Sequence, residues 1–374
     1  MTRPAARYRT DLVMAVLGSW FIIGAFLDAW AHNNLLRLET FFTPWHAVLY
    51  SGFVACAAWI GWTGRQGTQT MPAAYPTGLV GVAIFAVSGV GDFAWHSFFG
   101  IEQNIKILFS PSHLGLATGM LVIVTTPARS AWANRSVPAA AGLRRLLPTV
   151  LGTTFATALV LLFLQYGNAL AHSGTDVVVA MTNLQGSTER IVTAMALTNL
   201  VLLVPLLTLA RRWVLPPGTV TIVYAAACVL GAAVTGFDNA KLMAGVLLAG
   251  ILVDLLAWRL RPGPDQPVRF RVFAAITPLV TWTSYLVTAY LTAPMPQLLG
   301  GLRQGPIVAH PVPELYAGAP AVQALIGLLL GVLLSVSPVP PAQSPPAVWT
   351  RSAPEHRAGT AGTPEPAGAE IANG

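Results

Sequence analysis

Two stretches of the chain carry the same reactive residue types in the same order. Residues 28–52 read DAWAHNNLLRLETFFTPWHAVLYSG, and residues 91–119 read GDFAWHSFFGIEQNIKILFSPSHLGLATG. The first contains Asp28, His32, Glu39 and His46; the second contains Asp92, His96, Glu102 and His113. Asp and His four residues apart share one face of a helix. Two imidazoles with a carboxylate form a ligand set for Zn, Fe or Cu, and neutral imidazole is the form that binds. Glu39 and Glu102 fit three roles: further ligands, hydrogen-bond partners that orient a ligating His, or solvated loop residues. A plainer reading of each copy is an Asp–His pair that satisfies itself at a membrane interface. Ionisable groups in an apolar chain are costly, however, and their recurrence in one order favours a functional site.

The two copies align as D-x3-H, a short acidic loop, then [ST]-P-x-H-x5-G. Asp28 and His32 match Asp92 and His96 at an offset of 64, and His46 and Gly52 match His113 and Gly119 at an offset of 67. Each copy reads as a helical hairpin. The Asp and His lie in the last turns of the outgoing helix. Thr43 or Ser110 is the expected N-cap of the returning helix, with Pro44 or Pro111 at its first position. Each hairpin then gathers Asp, His and His into one small volume. An offset of two helices makes the repeat a parallel one. Two copies allow two separate sites or one dinuclear site. His172, in QYGNALAHSGTD, is expected to end the fifth helix on the same side and to offer a further ligand, with Asp176 four residues on.

The elements that must position these residues follow from composition. Of 374 residues, 54% are hydrophobic and 9% charged, against about 25% charged in soluble proteins. The mean hydropathy is +0.63. These values describe an all-α, polytopic membrane helical bundle in contact with the lipid bilayer. Apolar runs mark about ten spans, at 12–32, 44–62, 77–99, 111–127, 148–170, 188–209, 218–236, 239–260, 270–292 and 319–337. Residues 1–337 thus form the transmembrane domain: repeat hairpins at 1–62 and 77–127, then helices five to ten at 148–337. Residues 338–374, rich in Pro, Ala, Gly and Ser, read as a disordered cytoplasmic tail. The basic N-terminus leads into a retained first helix rather than a cleaved signal.

The basic residues orient the bundle. With the N-terminus in the cytoplasm, sixteen of the 21 Lys and Arg fall on the inner side and five on the outer. The positive-inside rule then places both termini inside, in a plasma membrane that the composition reads as bacterial. Six of the seven His, all but His356, fall at outer helix ends. The net charge of +7 is dispersed and forms no aromatic–basic stripe, so a nucleic-acid partner is not expected. Cys56 and Cys228 sit in apolar runs and offer no disulfide framework. The Pro- and Gly-rich segment 293–318 reads as an outer loop placed to cover the His surface, with His310 within it.

Asp28-x3-His32-x13-His46 resembles the D-x3-H-x12-H metal motif of the C subunit of copper membrane monooxygenases. The second copy, Asp92-x3-His96-x16-His113, is similar with a longer final spacing. The resemblance covers about 20 residues per copy and implies copper on Asp28, His32 and His46. The chain also resembles membrane hydrolases of the alkaline-ceramidase type, which hold zinc with His and use Asp and Ser nearby. Ser51, Ser88, Ser97, Ser110 and Ser112 are available here. The chain carries no P-loop, dinucleotide fingerprint, G-x-S-x-G or H-E-x-x-H. Two function classes stand: a metal-dependent oxidase or hydrolase acting on a small or lipophilic substrate, and a transporter or metal-handling permease using the same residues as an entrance site or proton relay.

Overall fold

The computed structural model of the chain describes residues 3–35, 43–99, 108–184, 187–293, 297–298 and 307–336. Glu39, Glu102, residues 294–296 and 299–306 of the 293–318 loop, and the 338–374 tail lie outside the described residues. Among those described there are twelve α-helices. The first hairpin is α1 (Tyr8–Asn34) with α2 (Pro44–Thr63); the second is α3 (Tyr75–Phe99) with α4 (Pro111–Val124) and its continuation α5 (Thr126–Ala133). There follow α6 (Leu143–Phe163), α7 (Gly174–Ala180), α8 (Thr188–Arg212), α9 (Thr219–Val234), α10 (Ala240–Leu260), α11 (Pro267–Thr292) and α12 (Pro313–Val336). A two-residue ladder pairs Gln297 with Val308 and Leu298 with Ile307, antiparallel.

The chain is a membrane-type helical bundle. Among the described residues seven helices are long and apolar enough to cross a bilayer: α1, α3, α6, α8, α10, α11 and α12. The pair α4–α5, bent by 41° at Thr125, makes an eighth if it is one span. The apolar helix α9 is shorter, at 16 residues. Helix α2 has 20 residues, but its three Trp, His46 and Tyr50 lower its apolar character.

Helix α6 packs against α1, α4 and α9 and joins two apolar clusters. One cluster gathers Met14, Phe21, Ile60, Phe85 and Met120 around Leu159 and Leu162 of α6. The other fills the space among α6 and α8–α12 with Leu203, Leu206, Trp213, Tyr224, Trp282 and Tyr285. Each hairpin closes through a glycine. A Cβ on Gly52 would lie 2.6 Å from Phe21 Cα, and one on Gly119 would lie 2.7 Å from Phe85 Cβ. Phe21 and Phe85 are themselves 64 residues apart. At the far end of α1, Asp11 is buried and doubly bonded: Tyr75 Oη donates to Oδ1 at 2.9 Å and Ser130 Oγ to Oδ2 at 2.8 Å.

One expected helix is shorter than its apolar run. The run 148–170 is helical only to Phe163, followed by 3-10 turns at Gln165–Gly167 and Ala169–Ala171. Asn168 explains the break. Its side chain donates to Leu161 O at 3.2 Å, meeting one of the orphan carbonyls at the end of α6, and accepts from Leu170 N at 3.0 Å. His172 is therefore not the end of a helix. Asp176 does not face it across a helical turn but forms a capping box with Ser173 at the start of α7. Asp254 caps α9, accepting from Gly218 N at 2.7 Å and from Thr221 Oγ1 at 2.7 Å.

Candidate metal centre

The sequence places an N-cap hydroxyl three residues before each returning His, and that spacing sets the local structure. Thr43 Oγ1 accepts the His46 backbone N–H at 3.1 Å and lies 3.2 Å from His46 Nδ1. Ser110 Oγ accepts the His113 backbone N–H at 3.2 Å and lies 2.6 Å from His113 Nδ1. One hydroxyl thus starts the helix and fixes the ring at its third position.

The outgoing helices supply the rest. Asp28 and His32 lie one turn apart near the end of α1, and Asp92 and His96 likewise near the end of α3. In the first group, Asp28 Oδ2 is 3.8 Å from His32 Nε2 and 3.4 Å from His46 Nε2. In the second, Asp92 Oδ1 is 3.6 Å from His96 Nε2 and 3.2 Å from His113 Nδ1. The two rings in each group stand edge to face, with centroids 6.0 and 5.8 Å apart. In each group, three potential ligand atoms lie within 4.8 Å of one another. Asp28/His32/His46 and Asp92/His96/His113 could therefore each hold a metal ion.

These distances are compatible with shared ligation. An N–H···O bond spans about 2.7–3.2 Å. Three of the four His–Asp separations exceed that range, at 3.4, 3.6 and 3.8 Å. Tetrahedral ligands with bonds of about 2.0–2.1 Å lie roughly 3.3 Å apart. In addition, Asp28 Oδ1 is buried with no hydrogen-bond partner among the described residues. A buried carboxylate oxygen without a donor is costly unless a cation meets it. The donor set, imidazole nitrogen and carboxylate oxygen without thiolate, suits Zn, Cu or Fe.

Residues from both groups line one cavity of about 80 Å³, which Asp28, His32, His46, Asp92 and His113 share with Tyr50 and Gln165. Ser112 was one of several available serines; it donates to Asp92 Oδ1 at 3.0 Å and lies 3.0 Å from Ser110 Oγ. Tyr50 went unnoticed in the sequence, where its repeat partner is Ala117. Its alignment one turn after His46 was the available signal.

His172 belongs to neither group of three. Its Nε2 is buried without a hydrogen-bond partner among the described residues. Burial, then the Arg190 guanidinium, lowers its pKa, while Asp176 pulls the other way. His310 is exposed, and its backbone exchanges hydrogen bonds with Asn183. Asp28, His32, His46, Asp92, His96 and His113 are thus brought together, whereas His172 and His310 are placed elsewhere. No family model matches the chain, and neither curated proteins nor solved structures show a significant match to it.

Proposed function

We propose that the protein is an integral membrane metalloprotein whose His/carboxylate site binds a divalent transition metal (Cu, Fe or Zn) and acts on a small or lipophilic substrate, by metal-dependent oxidation or hydrolysis. The observation that carries this reading is the pair of His/His/Asp groups, each with three potential ligand atoms within 4.8 Å of one another and three of their four His–Asp separations longer than a hydrogen bond. The bound ion would polarise substrate or activate water. The chain's own residues supply the frame. Thr43 and Ser110 hold two rings in place, and Ser112 steadies Asp92.

The seven long apolar helices, the α4–α5 pair, α2 and α9 support a ten-span arrangement. With the basic residues inside, that arrangement puts the His/Asp end on the extracytoplasmic side of a bacterial plasma membrane. A lipophilic substrate is supported by a largely apolar groove of about 870 Å³ between α2 and α3. Phe53, Phe85, Val90 and Phe93 line it, and His46 and Tyr50 belong to both groove and cavity. A transport role would need a polar path through the first four helices. Between the cavity and Asp11, their interior holds Phe21, Phe85, Ile60 and Met14, all buried. That apolar plug favours the enzyme over the permease.

Elemental analysis of detergent-purified full-length protein tests the proposal, with wild type beside His32→Ala/His96→Ala. Stoichiometric Cu, Fe or Zn in wild type and its loss in the variant is the expected result. A wild type that takes up no metal, even after metal is added back, would defeat it.

A further inference from the structure

The geometry points to a single dinuclear centre: the two His/Asp groups share one chamber and hold two ions side by side. This inference rests on the metal-binding reading above and adds the number of ions and their relation.

The argument begins away from the site. Side chains of α1 and α3 meet at residues 64 apart, the offset of the repeat. Asp11 accepts from Tyr75 at 2.9 Å near the inner end, and the Phe21 and Phe85 rings stand 5.0 Å apart midway. Contacts between equivalent positions are the mark of a two-fold relation between repeats. The cross contacts agree, because α1 touches α4 as α2 touches α3. Seven residues beyond Phe21 and Phe85 come Asp28 and Asp92. Seven residues make about two turns and about 10 Å of rise. The face that sets Phe21 against Phe85 therefore also turns Asp28 toward Asp92.

The outer end bears this out. Asp28, His32 and His46 line the same 80 Å³ cavity as Asp92 and His113. Asp28 lies within electrostatic reach of Asp92 and His96, and His32 within reach of Asp92, His96 and His113. One ion cannot collect all six ligands, since ligand atoms converge within 4.8 Å only inside each group of three. Two carboxylates facing one small chamber repel each other, and one cation per group neutralises both. On the measure by which about 10–15 Å³ holds one water, a chamber of about 80 Å³ has room for two ions and a few waters.

The halves are chemically unequal. Asp92 receives the Ser112 hydroxyl, whereas the position matching Ser112 in the first copy is Trp45, and Asp28 Oδ1 has no hydrogen-bond partner among the described residues. Tyr50 stands on the chamber wall where the second copy has Ala117. The two ions therefore occupy different environments.

Cu2+ titration of metal-stripped, detergent-solubilised full-length protein, read by bound copper and by quantitative EPR, decides the matter. The expected result is two Cu2+ per chain with an EPR intensity below two isolated spins, or dipolar broadening that marks neighbouring ions. His32→Ala and, separately, His113→Gln should each bind one Cu2+ with a full single-spin spectrum. Two Cu2+ per wild-type chain with the full intensity of two isolated spins and no dipolar broadening would overturn the shared chamber and leave the metal reading standing. One Cu2+ per wild-type chain would do the same. No bound Cu2+ at all would remove both. The wild-type spin count needs no variant to fold, so it decides on its own.

Discussion

Thr43 and Ser110 each hold two atoms of one His, so a single hydroxyl ties helix start to ring orientation. Removing an N-cap hydroxyl costs about 1 kcal/mol. Ser110→Ala should therefore lower the melting temperature modestly and weaken metal binding at the second group more than at the first, while Ser110→Thr should restore both. Metal titration beside thermal unfolding separates these effects. Ser112→Ala acts differently. It strips one of the two close partners of Asp92 Oδ1, leaving His113 Nδ1 at 3.2 Å, and Asp92 is 1% exposed; a lost hydrogen bond to a charged group costs about 1.5–3 kcal/mol. In the metal-free protein that cost should appear in full, and saturating metal should offset part of it, so the stability gap between wild type and variant should shrink on metal addition. His172 gives the residue scale its pH test. With its pKa held down in the fold, it takes up a proton on unfolding. Its contribution is then present above the ordinary histidine value of 6.5 and is lost as pH falls below it. His172→Gln should flatten the loss of stability on acidification relative to wild type, read as melting temperature against pH.

Helices α1–α2 and α3–α4 are held at close approach by Gly52 and Gly119, and the His/Asp groups sit at the end of that approach. An added methyl would meet Phe21 or Phe85 at well under 3 Å. Overpacking of this kind costs about 1–3 kcal/mol. Gly52→Ala should destabilise the protein and loosen the first group by splaying its hairpin, and Gly119→Ala should do so for the second. Gly61→Ala is the control, because nothing lies within 4 Å of its added Cβ; it should leave the melting temperature and metal content unchanged. Much of this scale was legible in the sequence. The D-x3-H spacing, the [ST]-P helix starts and the paired glycines are local signals, and local signals fix which residues one hairpin gathers. What Gly52 and Gly119 press against was not legible, because the packing partners Phe21 and Phe85 lie more than a helix length away and nothing local marks them among the 15 phenylalanines. The end of α6 was misjudged for a different reason. Hydropathy reports burial, and residues 167–170 are buried, but α6 ends at Phe163 and Asn168 bonds back to its last turn. The Asp11–Tyr75 pair was within reach, since it has the repeat offset of 64, but Asp and Tyr are different residue types and alignment by identity passes over them.

The bundle as a whole has one end that gathers the His/Asp groups and another where Asp11 is bonded to Tyr75 and Ser130, and function depends on which end faces outward. Ala25–Asn33 of α1, the first turns of α2 and α4, and the end of α6 converge on the chamber. Asn34 reaches Val234 O at the end of α9, so the α9–α10 turn lies at that same end. The α2–α3 turn, with Arg65, lies at the other. The orientation argued from the basic residues then makes a sharp expectation. Native thiols do not interfere, because Cys56 and Cys228 are buried at 0% and 2% exposure. Asp238, in the α9–α10 turn, and Arg65 are both exposed. In intact cells a membrane-impermeant maleimide should label Asp238→Cys and spare Arg65→Cys, and inverted membrane vesicles should reverse the pattern. That outcome would open the chamber to extracytoplasmic metal and to substrates reaching it from the outer leaflet. The reverse labelling would turn the same His/Asp chamber to the cytoplasm, where metal would have to be drawn from tightly buffered pools, and the positive-inside assignment of this chain would be wrong.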